Sequence, residues 1–127
     1  MRDLIISIIC MLVLIIPWAF YDRYAHSTVD ACQQTLEVRV IPAIERQDWE
    51  AAKEAFNTIR RDWKKYRKIS AYFMGTDDLN EITGTISKTH YYIKMKDDSN
   101  SSGEAAYLKN QFKYLYENET PAAGNVF

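Results

Sequence analysis

The sequence predicts an all-α protein, in which an N-terminal transmembrane helix is followed by an antiparallel bundle of about four helices. Three observations support this fold class. The segment from Leu4 to Tyr21 carries no formal charge. Beyond it, apolar residues recur every three or four positions, which is typical of amphipathic helices. Short polar, glycine-containing or proline-containing stretches separate these periodic segments, as expected for helices joined by brief connections.

The uncharged segment Leu4 to Tyr21 is long enough to cross a bilayer. At about 1.5 Å per residue it makes a helix about 27 Å long, against a hydrocarbon core of about 30 Å. Trp18 and Tyr24 lie where aromatic rings favour the headgroup region. A cleaved secretory signal is the alternative. We prefer an uncleaved anchor, because the apolar run exceeds the usual signal length and Arg23 precedes the small residue Ala25.

The charges beside the anchor indicate its orientation only weakly. Arg2 and Asp3 oppose each other on one side, as do Asp22 and Arg23 on the other. We expect a single-pass protein of the cell membrane, with a cytoplasmic N-terminus and an extracytoplasmic domain, since long domains translocate largely regardless of charge. The chain then divides into an anchor (residues 1–21), a helical bundle domain (22–119) and a C-terminal tail (120–127).

The first bundle helix is expected to continue from the anchor, because no glycine or proline stands between Tyr21 and Ile41. Pro42 must then kink or end it. The stretch Leu36–Val40 also alternates like a strand. We prefer a helix there, because a lone strand would leave its hydrogen-bonding groups unpaired. One helical face carries Val29, Cys32, Leu36, Val40 and Ala43.

The clearest amphipathic helix follows Asp48, whose carboxylate is suited to cap the first turn. Gly75 is predicted to end this helix. Trp49 and Trp63 share its apolar face and are expected in the core, since each ring can bury about 150 to 250 Å². The full stripe is Trp49, Ala52, Phe56, Ile59, Trp63, Tyr66, Ser70 and Phe73.

Two further helices complete the predicted bundle. One begins near Thr76, where acidic residues favour a helix N-terminus, and its apolar face is Leu79, Ile82, Ile86, Thr89 and Ile93. The polar run from Asp97 to Gly103 is predicted to be a loop. Ser101 and Glu104 then have the spacing of a capping box for the last helix. The apolar positions of that helix are Ala105, Leu108, Phe112 and Leu115.

The composition argues against several functions. With 16 Lys and Arg against 17 Asp and Glu, the chain lacks the basic excess of a nucleic-acid-binding protein. Cys10 lies in the anchor, so Cys32 has no partner for a disulfide within the domain. Cys32 is expected to be a buried apolar residue; a bridge between two copies remains the alternative.

Residues for catalysis or cofactor binding do not form a recognisable pattern. His26 and His90 are far apart and lack ligand spacing, so no metal site is expected. The run that starts at Asp98 resembles a calcium loop, but Lys109 stands where a bidentate glutamate belongs. We therefore expect a non-enzymatic protein without a cofactor. A deep pocket lined by Glu45, Tyr91 or His90 would argue otherwise.

One cluster of cations is the candidate interaction site. It could contact anionic lipid headgroups or an acidic partner. The simpler interpretation, which we prefer, is that cations favour a helix C-terminus and solvate its outer face. Tyrosines such as Tyr91, Tyr92, Tyr107, Tyr114 and Tyr116 are a second possible interface. The cationic cluster is Arg60, Arg61, Lys64, Lys65, Arg67 and Lys68.

A few short segments stand out as a set: Ile41–Glu45, then Asp48-Trp49-Glu50-Ala51-Ala52 with Trp63 beyond it, and the terminal Asn125-Val126-Phe127. With these segments and its N-terminal anchor, the chain resembles an uncharacterised bacterial family, the domain of unknown function 4363. The segments consist mostly of packing residues, and no catalytic or binding residues come with them. The resemblance implies an all-helical domain at a bacterial membrane, with a multi-span membrane protein as a neighbour or partner.

These observations together favour a membrane-anchored accessory or interaction protein. Its expected partners are the lipid bilayer and either a membrane protein or a second copy of the chain, but not nucleic acid. The alternative is a sensor or small-ligand-binding module, because helical bundles can bind ligands between their helices.

Overall fold

The computed structural model describes residues 1–72 and 76–119. All regular secondary structure in this part of the chain is helical, which confirms the predicted all-α class. The elements are α1 (Arg2–Thr35), a π-helical segment (Leu36–Val40), α2 (Ile41–Glu45), α3 (Trp49–Ser70), α4 (Thr76–Lys94) and α5 (Asp98–Glu119).

The first three elements form one unbroken helix, Arg2–Glu45, which we call the first helix. Its apolar part is long enough to cross a membrane, and it is the one helix with that property in the described part of the chain. Residues 1–20 are exposed, and burial against the bundle begins at Tyr21. The predicted continuity between the apolar segment and the first bundle helix is therefore confirmed.

Pro42 does not end the first helix; a π-helical segment precedes it. There the amide of Ile41 donates to the carbonyl of Leu36, five residues back. A proline ring clashes with the carbonyl four residues before it, here that of Val38. A π turn is wider than an α turn and thereby gives the ring room. The strand alternative for this segment is wrong, and the preferred helix is confirmed, although its π geometry was not predicted.

Four helices pack around one core. The first helix and α4 each pack against both α3 and α5, so α3 and α5 face each other across a diagonal. On that diagonal, the ring centroids of Trp63 and Phe112 lie 5.7 Å apart. Trp63 is buried, as predicted, whereas Trp49 is half-buried at the core's edge.

The three-four spacing identified the core correctly in all four helices. In α3 the buried stripe runs from Ala52 to Ser70, and Phe73 lies outside the described residues. The other predicted core positions that are buried are Val29, Cys32, Leu36, Val40, Ala43, Leu79, Ile82, Ile86, Thr89, Ile93, Ala105, Leu108, Phe112 and Leu115.

The connection between the first helix and α3 is a Schellman turn. Gln47 has a φ of 59°, and the amide of Asp48 donates to the carbonyl of Ala43 at 2.8 Å. This pattern satisfies carbonyls at a helix end. Oδ1 of Asp48 then accepts from the amide of Ala51 at 3.2 Å. The predicted N-cap is therefore confirmed.

The connection between α4 and α5 has the same geometry as the first turn. The predicted loop from Asp97 to Gly103 is wrong, because most of it is helical. Lys96 has a φ of 57°, and Oδ1 of Asp97 accepts from the amide of Asn100 at 3.1 Å. Helix α5 therefore begins at Asp98 rather than after Gly103. The predicted capping box at Ser101 is also wrong, because Ser101 is buried within the helix and its hydroxyl donates to the carbonyl of Asp97.

The predicted end of α3 at Gly75 is also wrong. Helix α3 ends at Ser70, and the amide of Ala71 closes its last turn on the carbonyl of Arg67 at 3.1 Å. Gly75 itself lies outside the described residues. Helix α4 begins at Thr76, as predicted.

The bundle has two distinct ends. The hydroxyl of Tyr21 donates to Oγ of Ser70 at 3.0 Å, so α3 ends beside the point where the apolar segment ends. We call this the proximal end. The distal end holds the turns after Glu45 and Lys94.

Candidate functional site

The six predicted cations of α3 all lie on its outer surface. The apolar stripe of the helix faces the core, so the positions between stripe residues are left to the solvent. Each of the six residues is exposed, and all of them lie in the half of α3 that leads to the proximal end. They are Arg60, Arg61, Lys64, Lys65, Arg67 and Lys68.

Four of these cations line an open groove of about 880 Å³, which we call the basic groove. Arg39 of the π-helical segment adds a fifth cation, and Glu54 is the single carboxylate in the lining. Lys65 and Lys68 are exposed but do not line it. The four α3 cations of the groove are Arg60, Arg61, Lys64 and Arg67.

Neutral oxygens hold the guanidinium groups of this groove. Arg67 donates to Oδ1 of Asn80 at 2.8 Å, and Arg60 donates to Oδ1 of Asn57 at 3.2 Å. Among the ion pairs formed by described residues, none involves a cation of the groove. In the described part of the chain, no carboxylate in direct contact therefore compensates this positive charge.

A tryptophan fixes the wall between α3 and α4. The Nε1–H of Trp63 donates to Oγ1 of Thr83 at 3.0 Å, and that hydroxyl donates in turn to the carbonyl of Leu79 at 2.7 Å. The one polar group of the buried indole therefore has a hydrogen-bond partner. This chain of bonds sets the register of α3 against α4.

Of the six cations of α3, Arg60 also acts on His90, a half-buried residue of α4. Partial burial is the largest cause that lowers the pKa of His90, and the positive charges of Arg60, Lys94 and Lys53 lower it further. A positive environment disfavours the protonated imidazole. His90 is therefore a neutral side chain at physiological pH.

A second groove, of about 270 Å³, lies between α4 and α5; we call it the acidic groove. Asp78 and Glu81 of α4 supply its charges, and Tyr107 and Tyr114 of α5 supply its exposed aromatic surface. Oε1 of Gln111 is buried in this groove and has no hydrogen-bond partner among the described residues.

The acidic groove was not predicted from the sequence. The acidic residues at the start of α4, among them Asp78 and Glu81, were expected only to favour a helix N-terminus. Tyr107 and Tyr114 belong to the second possible interface, and their spacing of seven residues, which puts two side chains on one helix face, was a signal that could have paired them. Tyr91 is exposed and Tyr92 half-buried, while the side chain of Tyr116 lies outside the described residues.

The residues weighed as catalytic do not come together in these grooves. His26 lies beside Asp22, at 3.4 Å between Nε2 and Oδ1, on one face of the first helix. Neither His26 nor His90 lines either groove, and the same holds for Glu45 and Tyr91. Among the described residues no cluster of three His, Cys, Asp or Glu side chains is placed to hold a metal ion.

Comparison with known proteins gives one match. The sequence pattern of the family described as "Domain of unknown function (DUF4363)" matches residues 19–126, and the chain belongs to this family. The match begins near the end of the apolar segment and covers the whole bundle. Neither a curated protein nor a solved structure matches the chain.

Proposed function

We propose that this member of the DUF4363 family is a membrane-anchored, non-enzymatic accessory protein. Its extracytoplasmic helical domain binds a membrane-protein partner or a second copy of the chain. The observation that carries the proposal is the unbroken first helix, Arg2–Glu45, which joins the apolar segment to the bundle without a flexible linker. Such a rod holds the binding surfaces at a set height above the bilayer, and this preorganisation lowers the entropy cost of association.

The basic groove supports a binding role. Its cations are exposed, and Arg60 and Arg67 bond to neutral oxygens, so an anionic partner meets charge that no carboxylate of the described residues neutralises by direct contact. Complementary charge of this kind raises association rates and selects partners. Its four cations from α3 lie in the half of that helix that leads to the proximal end, where a membrane protein in the same bilayer can reach them.

Site-specific photocrosslinking in intact cells tests this function. A photoreactive residue replaces Lys64 in the basic groove of the full chain, and a matched one replaces Lys53, an exposed cation of α3 outside the groove. We expect a crosslinked membrane protein or a dimer from position 64 and little from position 53. A chain that alkaline extraction removes from membranes, or one without crosslinks at any exposed position, would contradict the proposal.

Cysteine labelling tests the proposed orientation. Ser99 is exposed at the distal end, and Ser99→Cys in a Cys10→Ser chain places one accessible thiol there, because Cys32 is buried. A membrane-impermeant maleimide should label intact cells. Labelling that requires permeabilised cells would instead place the domain in the cytoplasm.

A small-ligand-binding module is the second candidate, and the size of the basic groove favours it. About 880 Å³ with five lining cations suits a multiply charged anion. Citrate, inorganic phosphate and pyrophosphate are suitable probes in a thermal unfolding experiment on the full chain. This candidate predicts a higher Tm that is lost in Arg61→Gln/Lys64→Gln. No change in Tm with any of the probes would count against it.

A further inference from the structure

We infer that the basic groove of one copy pairs with the acidic groove of a second copy in the same membrane. The inference rests on the proposed membrane anchoring, and it names the partner of the basic groove as the chain itself. Four kinds of observation carry it: the charges of the two grooves, their height, their direction and the chemistry of the acidic groove.

The charges of the two grooves are complementary. Five cations and one carboxylate line the basic groove. Among the described residues, two carboxylates, Asp78 and Glu81, and no cation line the acidic groove. The whole chain has a net charge of only −1, so two copies attract each other through these surfaces without a large overall repulsion.

The two grooves also overlap in height along the bundle axis. Arg67 bonds to Asn80 at 2.8 Å, and Asn80 stands between Asp78 and Glu81 in α4. Lys64 lies about one helical turn further from the proximal end, since a helix rises about 1.5 Å per residue, and the other cations of the basic groove lie further still. In two copies inserted in one bilayer, Arg67 of one copy therefore lies level with the carboxylates of the other, and Lys64 lies within about one turn of them.

The two grooves face different directions. The basic groove takes Thr83, Ile86 and Ser87 from α4, whereas the acidic groove takes Asp78, Glu81 and Ile82 from the same helix and its remaining wall from α5. Helix α4 thus separates them, and one copy cannot pair its own grooves. Contact between unlike surfaces of identical chains is heterologous association.

The acidic groove has the chemistry to receive an arginine or lysine side chain. Asp78 and Glu81 offer carboxylates to such a side chain. The exposed rings of Tyr107 and Tyr114 offer faces for a cation–π contact. Oε1 of Gln111 is an acceptor without a partner among the described residues. A guanidinium carries five N–H donors in a rigid fork and suits such a set of acceptors.

Because both copies are confined to one membrane, weak contacts between their grooves are enough to hold them together. An exposed ion pair contributes little by itself and is weakened by salt. Two copies held in one bilayer, however, share a high effective concentration. The continuous first helix also presents both grooves in a set orientation.

Energy transfer between labelled full-length chains in phosphatidylcholine vesicles tests the inference. Donor and acceptor dyes are attached at Ser99→Cys in the Cys10→Ser chain. One variant reverses the basic groove (Arg61→Glu/Lys64→Glu), and another reverses the acidic groove (Asp78→Lys/Glu81→Lys). All four replaced side chains are exposed, and circular dichroism and Tm show whether each variant stays folded. Asp78→Asn/Glu81→Gln is the milder substitute if the lysine variant unfolds.

We expect each reversed variant alone to associate at least about tenfold more weakly than the parent chain, as should the parent in about 0.5 M salt. An equal mixture of the two reversed variants should recover association, because each supplies the groove that the other lacks. The matched control, Arg46→Glu/Lys53→Glu, changes exposed cations outside the groove and should associate like the parent.

Three results would overturn the inference: a parent chain that stays monomeric, reversed variants that still associate, or a mixture that does not recover. The proposed function is tested separately, by flotation of the chain with the vesicles and by crosslinking in cells. A chain that floats and crosslinks to another membrane protein, yet stays monomeric, refutes the self-pairing and leaves the accessory function standing. A chain that does not float refutes the anchoring itself.

Discussion

The hydroxyl of Tyr21 donates a 3.0 Å hydrogen bond to Oγ of Ser70, and this bond joins the end of the apolar segment to the last residue of α3. Ser70 is fully buried and Tyr21 is half-buried. The bond links positions 49 residues apart in the chain. It therefore sets the height of α3, and with it the height of the cations on α3, relative to the proposed membrane surface.

Loss of this bond should destabilise the bundle. Tyr21→Phe leaves the buried hydroxyl of Ser70 without this donor, at a cost of about 1 to 3 kcal/mol in the free energy of unfolding. Ser70→Ala should cost about 1 kcal/mol. Thermal unfolding of the full chain in micelles measures both variants and their double mutant, which isolates the pairwise contribution.

Tyr72→Phe is the matched control, because Tyr72 is 87% exposed and its hydroxyl lies in the solvent. It should leave the free energy of unfolding within about 0.5 kcal/mol of the parent. Additive effects of Tyr21→Phe and Ser70→Ala in the double mutant would show that the bond makes no contribution of its own.

Replacement of Lys96 by glycine should stabilise the protein. Lys96 adopts a φ of 57°, a left-handed conformation that costs a non-glycine residue about 1 kcal/mol, and glycine adopts it without that cost. We expect Lys96→Gly to raise the free energy of unfolding by up to about 1 kcal/mol. Chemical denaturation provides the measurement.

The control for Lys96→Gly is Lys88→Gly, in the middle of α4 and also exposed. There glycine should lower stability by about 1 kcal/mol, because it weakens a helix interior. The same sign of effect at both positions would contradict the assignment of Lys96 to a left-handed turn.

The core could be predicted from the sequence because helical spacing is a direct consequence of burial on one face. Helix ends were harder. The turn before α5 has lysine rather than glycine in its left-handed position, so the usual signal was missing. The exposed polar residues Asp98, Ser99 and Asn100 occupy the first turn of α5, where they look the same in sequence as a loop.

The two grooves also differ in how far the sequence alone could predict them. Four of the five cations of the basic groove lie close together on α3, so their clustering was visible in the sequence; Arg39 of the π-helical segment was not part of that cluster. The acidic groove joins Asp78 and Glu81 to Tyr107 and Tyr114 across two helices. Its existence depends on how α4 packs against α5, and helical periodicity does not specify which outer faces become neighbours.

The stability of the protein should fall in mild acid because of His90. Its pKa is lowered in the folded chain by burial and by Arg60, Lys94 and Lys53. As the pH falls below about 6.5, the ordinary value, the unfolded chain binds a proton that the folded chain resists, so folding becomes less favourable. His90→Gln should therefore reduce the drop in Tm between pH 7 and pH 5.

An NMR titration of the His90 ring measures the cause directly. The expected midpoint lies below the ordinary value of 6.5. Reversal of one nearby charge, in Arg60→Glu, should raise that midpoint. A midpoint at or above 6.5 in the parent chain would contradict the arrangement of cations around His90.

Cys32 should be unreactive in the folded chain. It is 1% exposed, and burial, with a smaller effect from Asp62, raises the pKa of its thiol to about 12. The thiolate is the reactive form of cysteine and is scarce at neutral pH under these conditions. In a Cys10→Ser chain, maleimide should label Cys32 only as fast as the protein unfolds, and rapidly in denaturant.

The same burial argues against a disulfide between copies through Cys32, the alternative that the sequence left open. Non-reducing electrophoresis of the folded protein should show no dimer linked through this residue, even where the two grooves bring copies together. Added Ser99→Cys is the matched control, since an exposed thiol at the distal end should react within minutes under identical conditions. Rapid labelling of Cys32 in the native protein would mean that the first helix separates from the bundle far more readily than its packing against α3 and α5 implies.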